Sequence, residues 1–246
     1  SEGRVYASFD AHNDDDYKPY LYVSEDYGMS WQSIVSNLPD WSINVVREHH
    51  LSPDLLFLGN EVGIYVSFDR GNNWQPLKGN FPTVPVDDIA IHPRENDLIV
   101  GTHGRSIWIL HDLGPLQEIA ENPRILDTAL QGFRSKPGVQ WIRSGGWPFW
   151  GDMFIAANPE DGIKIRYWLG KDLDLDEDSE CGQSICVEIR DNSSGMISKL
   201  TGPGEAGFHE VLWDMRYDSP PNMEDQNGSG FGSPLTGPMV LPGTYQ

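Results

Sequence analysis

Positive charge is scarce in this 246-residue chain: 17 Lys and Arg stand against 37 Asp and Glu, a formal net charge of −20. A surface this acidic repels phosphate backbones and anionic lipid, which argues against nucleic acid and against docking on anionic membranes. It favours solubility and attracts cations. Long apolar runs are missing as well. No stretch approaches the roughly 18 residues that a membrane-spanning helix needs. No signal peptide is recognisable at the N-terminus. The chain opens on "SEGRVYASFD" and stops at "LPGTYQ", both of which read as mid-strand. The expectation is a piece of a longer protein, with any targeting signal outside it. Sustained helical periodicity is absent, which argues against an α-rich fold. Cysteine is limited to Cys181 and Cys186 in "ECGQSIC". Their spacing is not the two-residue gap of zinc ribbons and redox motifs, and it leaves two choices open: a bridge across a short loop, or two free thiols.

What is present points to strands. The chain has 26 Gly and 18 Pro spread along its length, and nine each of Trp, Tyr and Phe. That composition suits many short strands joined by turns, around aromatic-rich cores. "SEDYGMSW" (Ser24 to Trp31) recurs 43 residues later as "SFDRGNNW" (Ser67 to Trp74). A third copy, "LHDLGPL", keeps Asp112 and Gly114 in register but has lost the hydroxyl and the Trp. The flanking text repeats too: "INVVREHH" parallels "VDDIAIHP", and "LLFLGNEVGIYVSFD" parallels "DLIVGTHGRSIWILHD". One unit is four short strands, in the middle copy Ile43–His50, Leu55–Glu61, Gly63–Asp69 and Asn73–Lys78. Four strands every 40 to 50 residues is the pattern of propeller blades.

Within each copy the motif has a mechanical reading. It lies at the turn between the third and fourth strands. Asp26 and Asp69 can accept turn amides as in Asx-turns. Gly28 and Gly71 can take the positive φ of a tight hairpin. Ser24 and Ser67 can add local bonds, and Trp31 and Trp74 open the outer strand, where a ring can bury between blades. A turn of this kind closes a hairpin and does no chemistry.

These motifs resemble the Asp-box of bacterial neuraminidase repeats, Ser/Thr-x-Asp-x-Gly-x-x-Trp. The longer text "VPVDDIAIHPRENDLIVGTHGRSIWILHDLGPL" resembles the last blades of large secreted bacterial proteins related to the sortilin-type propeller, often labelled glycosyl hydrolase or BNR repeat proteins. The resemblance covers roughly residues 1–116. It implies about three four-stranded blades, a secreted, periplasmic or cell-surface location, and an exported chain in which Cys181 and Cys186 are bridged. Residues 117–150 read as an aromatic-rich linker. From residue 151 to 246 a new strand series appears, with "GIKIRYWLG", "CVEIRDNSSGMISKL", "GFHEVLWDMRYDS" and "LPGTYQ". It resembles a bacterial immunoglobulin-like module, a β-sandwich cut short in its last strand. The expected fold class is all-β.

Several groups are candidates for chemistry. Asp10, Asp14, Asp15 and Asp16 in "FDAHNDDDY" could offer oxygens to calcium, with Asp14, Asp15 and Asp16 as the ligand set. Their spacing is not that of an EF-hand, and a solvated loop needs no ion. "DLDLDEDSE" (Asp172 to Glu180) is a second acidic run of the kind that is usually solvated. His103 and Arg105 in "GTHGRSIW" could line a propeller mouth, or His103 could cap a strand. His49 and His50 are a pair without a third ligand. Trp147 and Trp150 could stack on sugar or pack the linker. Glycoside hydrolysis needs two positioned carboxylates, and a sialidase-like site also needs an arginine cluster; neither is tied to the repeat. The expected role is a glycan- or protein-binding scaffold without catalytic residues of its own. The competing expectation is the C-terminal part of a glycoside hydrolase with its catalytic residues upstream. No cofactor is expected beyond the possible calcium.

Overall fold

The computed structural model describes residues 2–141, 160–173, 181, 184–219 and 236–246. Trp147 and Trp150 lie outside them, as does most of the acidic run Asp172 to Glu180. The chain forms two compact units, Ser1–Asp127 and Thr128–Gln246, and it is all-β: a partial propeller followed by a β-sandwich.

The first unit holds three antiparallel sheets. Strands β1 (Val5–Ala11), β2 (Asp16–Ser24) and β3 (Gln32–Ser33) make the first sheet. Strands β4 (Ile43–Glu48), β5 (Leu56–Asn60), β6 (Gly63–Ser67) and β7 (Gln75–Pro76) make the second. Strands β8 (Val86–Ile91), β9 (Leu98–Thr102) and β10 (Ile107–Leu110) make the third. The middle sheet has the four strands expected of a blade, whereas each flanking sheet has three. In the third sheet the text after Asp112 turns into helix α1 (Gly114–Glu121) instead of an outer strand. Pro115 near the start of α1 suits a first helical turn, where its missing N–H costs nothing.

Strand alternation divides the core of this unit into two layers. Ile43, Leu56, Leu58 and Trp74 from one face of the middle sheet pack with Leu21 and Ile34. Val45, Phe57, Ile64 and Val66 from its other face pack with Val86, Ile89, Leu98 and Val100. The middle sheet is therefore covered on both sides, as a blade is by its neighbours. Leu113, Leu116 and Ala120 join the second layer. For that reason the unit runs past residue 116, where the repeat was expected to end, to Asp127.

In the second unit, β11 (Leu130–Gly132), β12 (Ile163–Leu169) and β15 (Gly207–Trp213) form one sheet in the order β11-β12-β15. Strands β13 (Ile185–Arg190) and β14 (Met196–Gly202) form a hairpin. Its turn is held by Asp191, whose Oδ1 accepts the Ser193 and Gly195 amides, both at 2.8 Å. Ile163, Ile165 and Trp213 of the first sheet pack with Val187, Ile189, Ile197 and Leu200 of the hairpin. At the free edge of β13, Arg190 and Gln246 exchange backbone hydrogen bonds at 2.7 and 2.8 Å. Cys181 and Cys186 are bridged, with their Cα atoms 5.8 Å apart, inside the range that a disulfide accepts.

Candidate functional site

The repeated motif builds the same knot twice. In the first copy the Ser24 hydroxyl donates to Asp26 Oδ1 (2.8 Å) and accepts the Gly28 amide (2.7 Å). Asp26 in turn accepts the Ser30 amide (2.8 Å) and the Ser30 hydroxyl (2.6 Å). In the second copy Ser67 donates to Asp69 Oδ1 and accepts the Gly71 amide, both at 2.8 Å. Asp69 accepts the Asn73 amide (2.8 Å) and its side-chain NH2 (2.6 Å). Two positive-φ residues stand at each turn: Tyr27 at 60° and Gly28 at 88°, Arg70 at 62° and Gly71 at 86°. That is the φ pattern of a type I′ turn, whose twist matches the flanking strands. The Ser30 hydroxyl and amide, with Ser24, hold the Asp26 carboxyl down at about 2. Both Asp side chains are thus engaged by their own turns.

The two Trp residues differ. Trp74 is 2% exposed, and its indole N–H donates to the Ile34 carbonyl at 2.8 Å. Asn37 clasps its backbone in both directions, each bond 2.8 Å. Trp31 is 45% exposed and reaches only back to the Gly28 carbonyl of its own turn, at 3.0 Å. In the third copy Leu110 replaces the hydroxyl. Asp97 Oδ1 there accepts the Asp112 amide at 2.9 Å, and Asp112 Oδ1 accepts the Gly114 amide at 3.2 Å.

Antiparallel order sends the other loops to the opposite rim of the sheets. The β1–β2, β5–β6 and β9–β10 loops are equivalent hairpin ends there, and they carry Asp14–Asp15, Glu61–Val62 and His103–Ser106. The acidic candidates and the His103–Arg105 pair therefore share one rim. His103 is exposed, with Nδ1 3.5 Å from Asp87 Oδ2. Arg105 is exposed, and its carbonyl accepts the Trp108 indole N–H at 3.0 Å. Asp10 faces His12, whose amide donates to Oδ1 at 3.0 Å; that bond leads the forces that lower the Asp10 pKa. Asp16 accepts the Tyr20 hydroxyl (2.6 Å) and the Lys18 amide (3.1 Å). Asp14 sits in a 3-10 turn, and Asp15 takes φ 56°. Among the described residues, no group of three or more His, Cys, Asp or Glu is placed to hold a metal ion.

Two polar clusters had no signal in the motifs. Buried His49 meets Asn96 Oδ1 through Nε2 at 2.8 Å and accepts the Leu51 amide at Nδ1 at 3.2 Å. Asn96 donates to Gln117 Oε1 (2.6 Å), and Gln117 donates to Ser52 Oγ (3.4 Å). Gln117 stands 43 residues after Trp74, where the third motif has lost its Trp. Burial lowers the His49 pKa, opposing the bond to Asn96. The acceptor role of Nδ1 fixes the neutral Nε2–H tautomer. The second cluster joins the first and middle sheets: Arg4 contacts Glu25 at 2.9 Å and Glu48 at 3.0 Å, and the Tyr6 hydroxyl donates to Glu48 at 2.7 Å. Burial pushes the Tyr6 pKa up, and the bond to Glu48 adds to it.

The second unit holds a cavity of about 830 Å³ lined by Ile163, Ile165, Ile189, Trp213, Met215 and Val240. These are core residues of the sandwich, and the cavity lies between its two sheets. Among the described residues no helix is long and apolar enough to cross a membrane. A search of curated proteins finds no match to the chain. Residues 20–112 match the Sortilin-Vps10 family model, described as sortilin, neurotensin receptor 3, so the stretch from β2 to the third motif is similar to a sortilin-type propeller segment.

Proposed function

We propose that this chain is part of an exported, non-catalytic binding scaffold, a sortilin-like Asp-box propeller segment followed by an immunoglobulin-like module. The observation that carries this reading is the engagement of the repeat carboxylates. Asp26 and Asp69 are tied to their own turn amides and hydroxyls. A carboxylate whose oxygens are taken up by its own turn is poorly placed to serve as one of the two positioned acids that glycoside hydrolysis needs. The family match over residues 20–112 supports a propeller that binds a ligand. The opposite rim, with His103 and Arg105, is the surface proposed to meet a glycan or protein ligand. Its exposed side chains can donate hydrogen bonds to sugar hydroxyls or peptide carbonyls. The Cys181–Cys186 bridge supports an oxidising, extracytoplasmic location. The two-sheet core of the second unit supports the immunoglobulin-like assignment.

The test pairs binding with turnover. Labelled chain is applied to a glycan array, and aryl glycosides are assayed in parallel. The expected result is glycan retention that weakens at least tenfold in His103→Ala, Arg105→Ala, without hydrolysis. Reproducible aryl glycoside turnover, abolished by replacing one carboxylate, would overturn the reading.

A further inference from the structure

Asn96, in the β8–β9 loop, is the hub of the buried histidine network. Its backbone takes a left-handed φ of 56°, and its carbonyl accepts the Leu113 amide at the entry to α1, at 2.8 Å. Its side-chain NH2 donates to Gln117 of α1 at 2.6 Å, while its side-chain oxygen meets His49 Nε2 at 2.8 Å. Gln117 reaches on to the Ser52 hydroxyl at 3.4 Å, and the Ser52 amide returns to the His49 carbonyl at 3.3 Å. The four residues therefore close a ring that ties α1 to two loops of the sheets. Helix α1 has only eight residues, too few to persist in water without such anchors.

The ring requires a neutral His49. Nδ1 accepts the Leu51 amide, so the proton sits on Nε2 and is given to Asn96, which turns the Asn96 NH2 toward Gln117. A second proton can only enter at Nδ1, where it opposes the Leu51 N–H and places a charge on a fully buried ring. The charged groups around His49 do not offset that charge. His50 stacks on it, with centroids 4.7 Å apart and 20° between the planes, and adds a like charge. Asp54 on the same loop pairs with Arg70. In the β8–β9 loop Glu95 pairs with Arg94, Asp97 pairs with His111, and His92 accepts the Glu95 amide. Glu118 and Glu121 of α1 flank Gln117 in sequence and are not among the groups that act on His49. We propose that the His49–Asn96–Gln117–Ser52 ring is an acid-sensitive latch, which frees α1 when His49 takes up a proton and leaves the sheets folded. The protonated ring moves toward water, Asn96 Oδ1 loses its donor, and the freed amide no longer holds Gln117. The proposal rests on this network and is independent of the identity of any ligand.

Amide hydrogen exchange on the full chain tests it, at about pH 7 and about pH 5, with rates corrected for the intrinsic effect of pH. The amides of Gln117 to Asn122 are expected to exchange at least about tenfold faster at the lower pH, with β5 and β6 unchanged. His49→Gln cannot titrate and keeps a donor for Asn96, so α1 is expected to stay protected at both values. His50→Ala removes the like charge and the stacked cover, so α1 is expected to let go at a higher pH than in wild type. Circular dichroism at about pH 7 checks that the variants are folded. Equal α1 protection at the two values overturns the proposal, and so does a matching loss in β5 and β6, which is unfolding of the whole unit. A folded His49→Gln that still releases α1 in acid also overturns it. Should His49→Gln fail to fold, His50→Ala decides: a release point that stays or falls overturns the latch.

Discussion

Replacing Trp74 by Ala should destabilise the first unit far more than the same change at Trp31, although both residues close the same motif. Trp74 is fully packed with Leu21, Ile34, Leu56 and Leu58. Truncating a buried Trp costs about 3–5 kcal/mol through lost transfer energy and the cavity left behind. The lost indole N–H also strands the Ile34 carbonyl, which it meets at 2.8 Å. A Trp74→Phe variant keeps most of the packing and isolates that bond, worth about 1–2 kcal/mol. Trp31, nearly half exposed, should cost below about 1 kcal/mol. Urea denaturation followed by far-ultraviolet circular dichroism reads the difference. With a slope of about 2 kcal/mol per molar urea, Trp74→Ala should lower the first unit's midpoint by about 2 M. Equal shifts for the two alanine variants would refute the claim that Trp74 locks adjacent blades.

Two further outcomes follow from the geometry. Gly71→Ala should cost about 2–3 kcal/mol and Gly28→Ala about 1 kcal/mol. Both have positive φ, but only at Gly71 does an added Cβ press on a core side chain, 2.9 Å from Ile34 Cδ1 against 3.6 Å from the Trp31 ring at Gly28; thermal melts that rank the two in reverse would contradict the packing. His49 has its folded pKa lowered below 6.5, so between those two values the unfolded chain binds the extra proton. Stability should therefore be flat above about pH 6.5 and fall below it, by at most about 1.4 kcal/mol per pH unit. His49→Gln should flatten that slope in urea titrations at pH 5 and pH 7; an unchanged slope would place the proton elsewhere.

The hairpins and the motif turns were legible in the sequence because each is a local matter. Turn chemistry at Ser24–Gly28 and Ser67–Gly71 depends on residues two to four apart. So does the Asp191 hairpin. Trp31 and Trp74 show where that legibility stops. Their local text is the same, and only the presence of a neighbouring sheet separates a buried ring from an exposed one. The third sheet has three strands because the text after Asp112 becomes helix α1 where the middle sheet has its outer strand. The helix Gly114–Glu121 left no periodic trace, since eight residues give barely two turns. The His49–Asn96–Gln117–Ser52 network was hidden because its members come from three separate elements. The calcium reading of Asp14, Asp15 and Asp16 was drawn from adjacency in sequence. In the fold Asp16 sits in a strand, bonded to Tyr20, and Asp15 caps a turn.

The central claim is that the motif carboxylates close turns and perform no chemistry. Titrating the Asp26 carboxyl by NMR, with the Ser30 amide followed in the same series, tests this most directly. The Asp26 pKa lies at about 2 because the Ser30 hydroxyl and amide and the Ser24 hydroxyl favour its charged form. Its contribution to stability is present above the ordinary carboxyl value of about 3.9 and is lost as pH falls through the lowered one. The account predicts that the Asp26 carboxyl and the Ser30 amide titrate together near pH 2. An Asp26 that titrates at the ordinary value, with a Ser30 amide indifferent to it, would contradict the account.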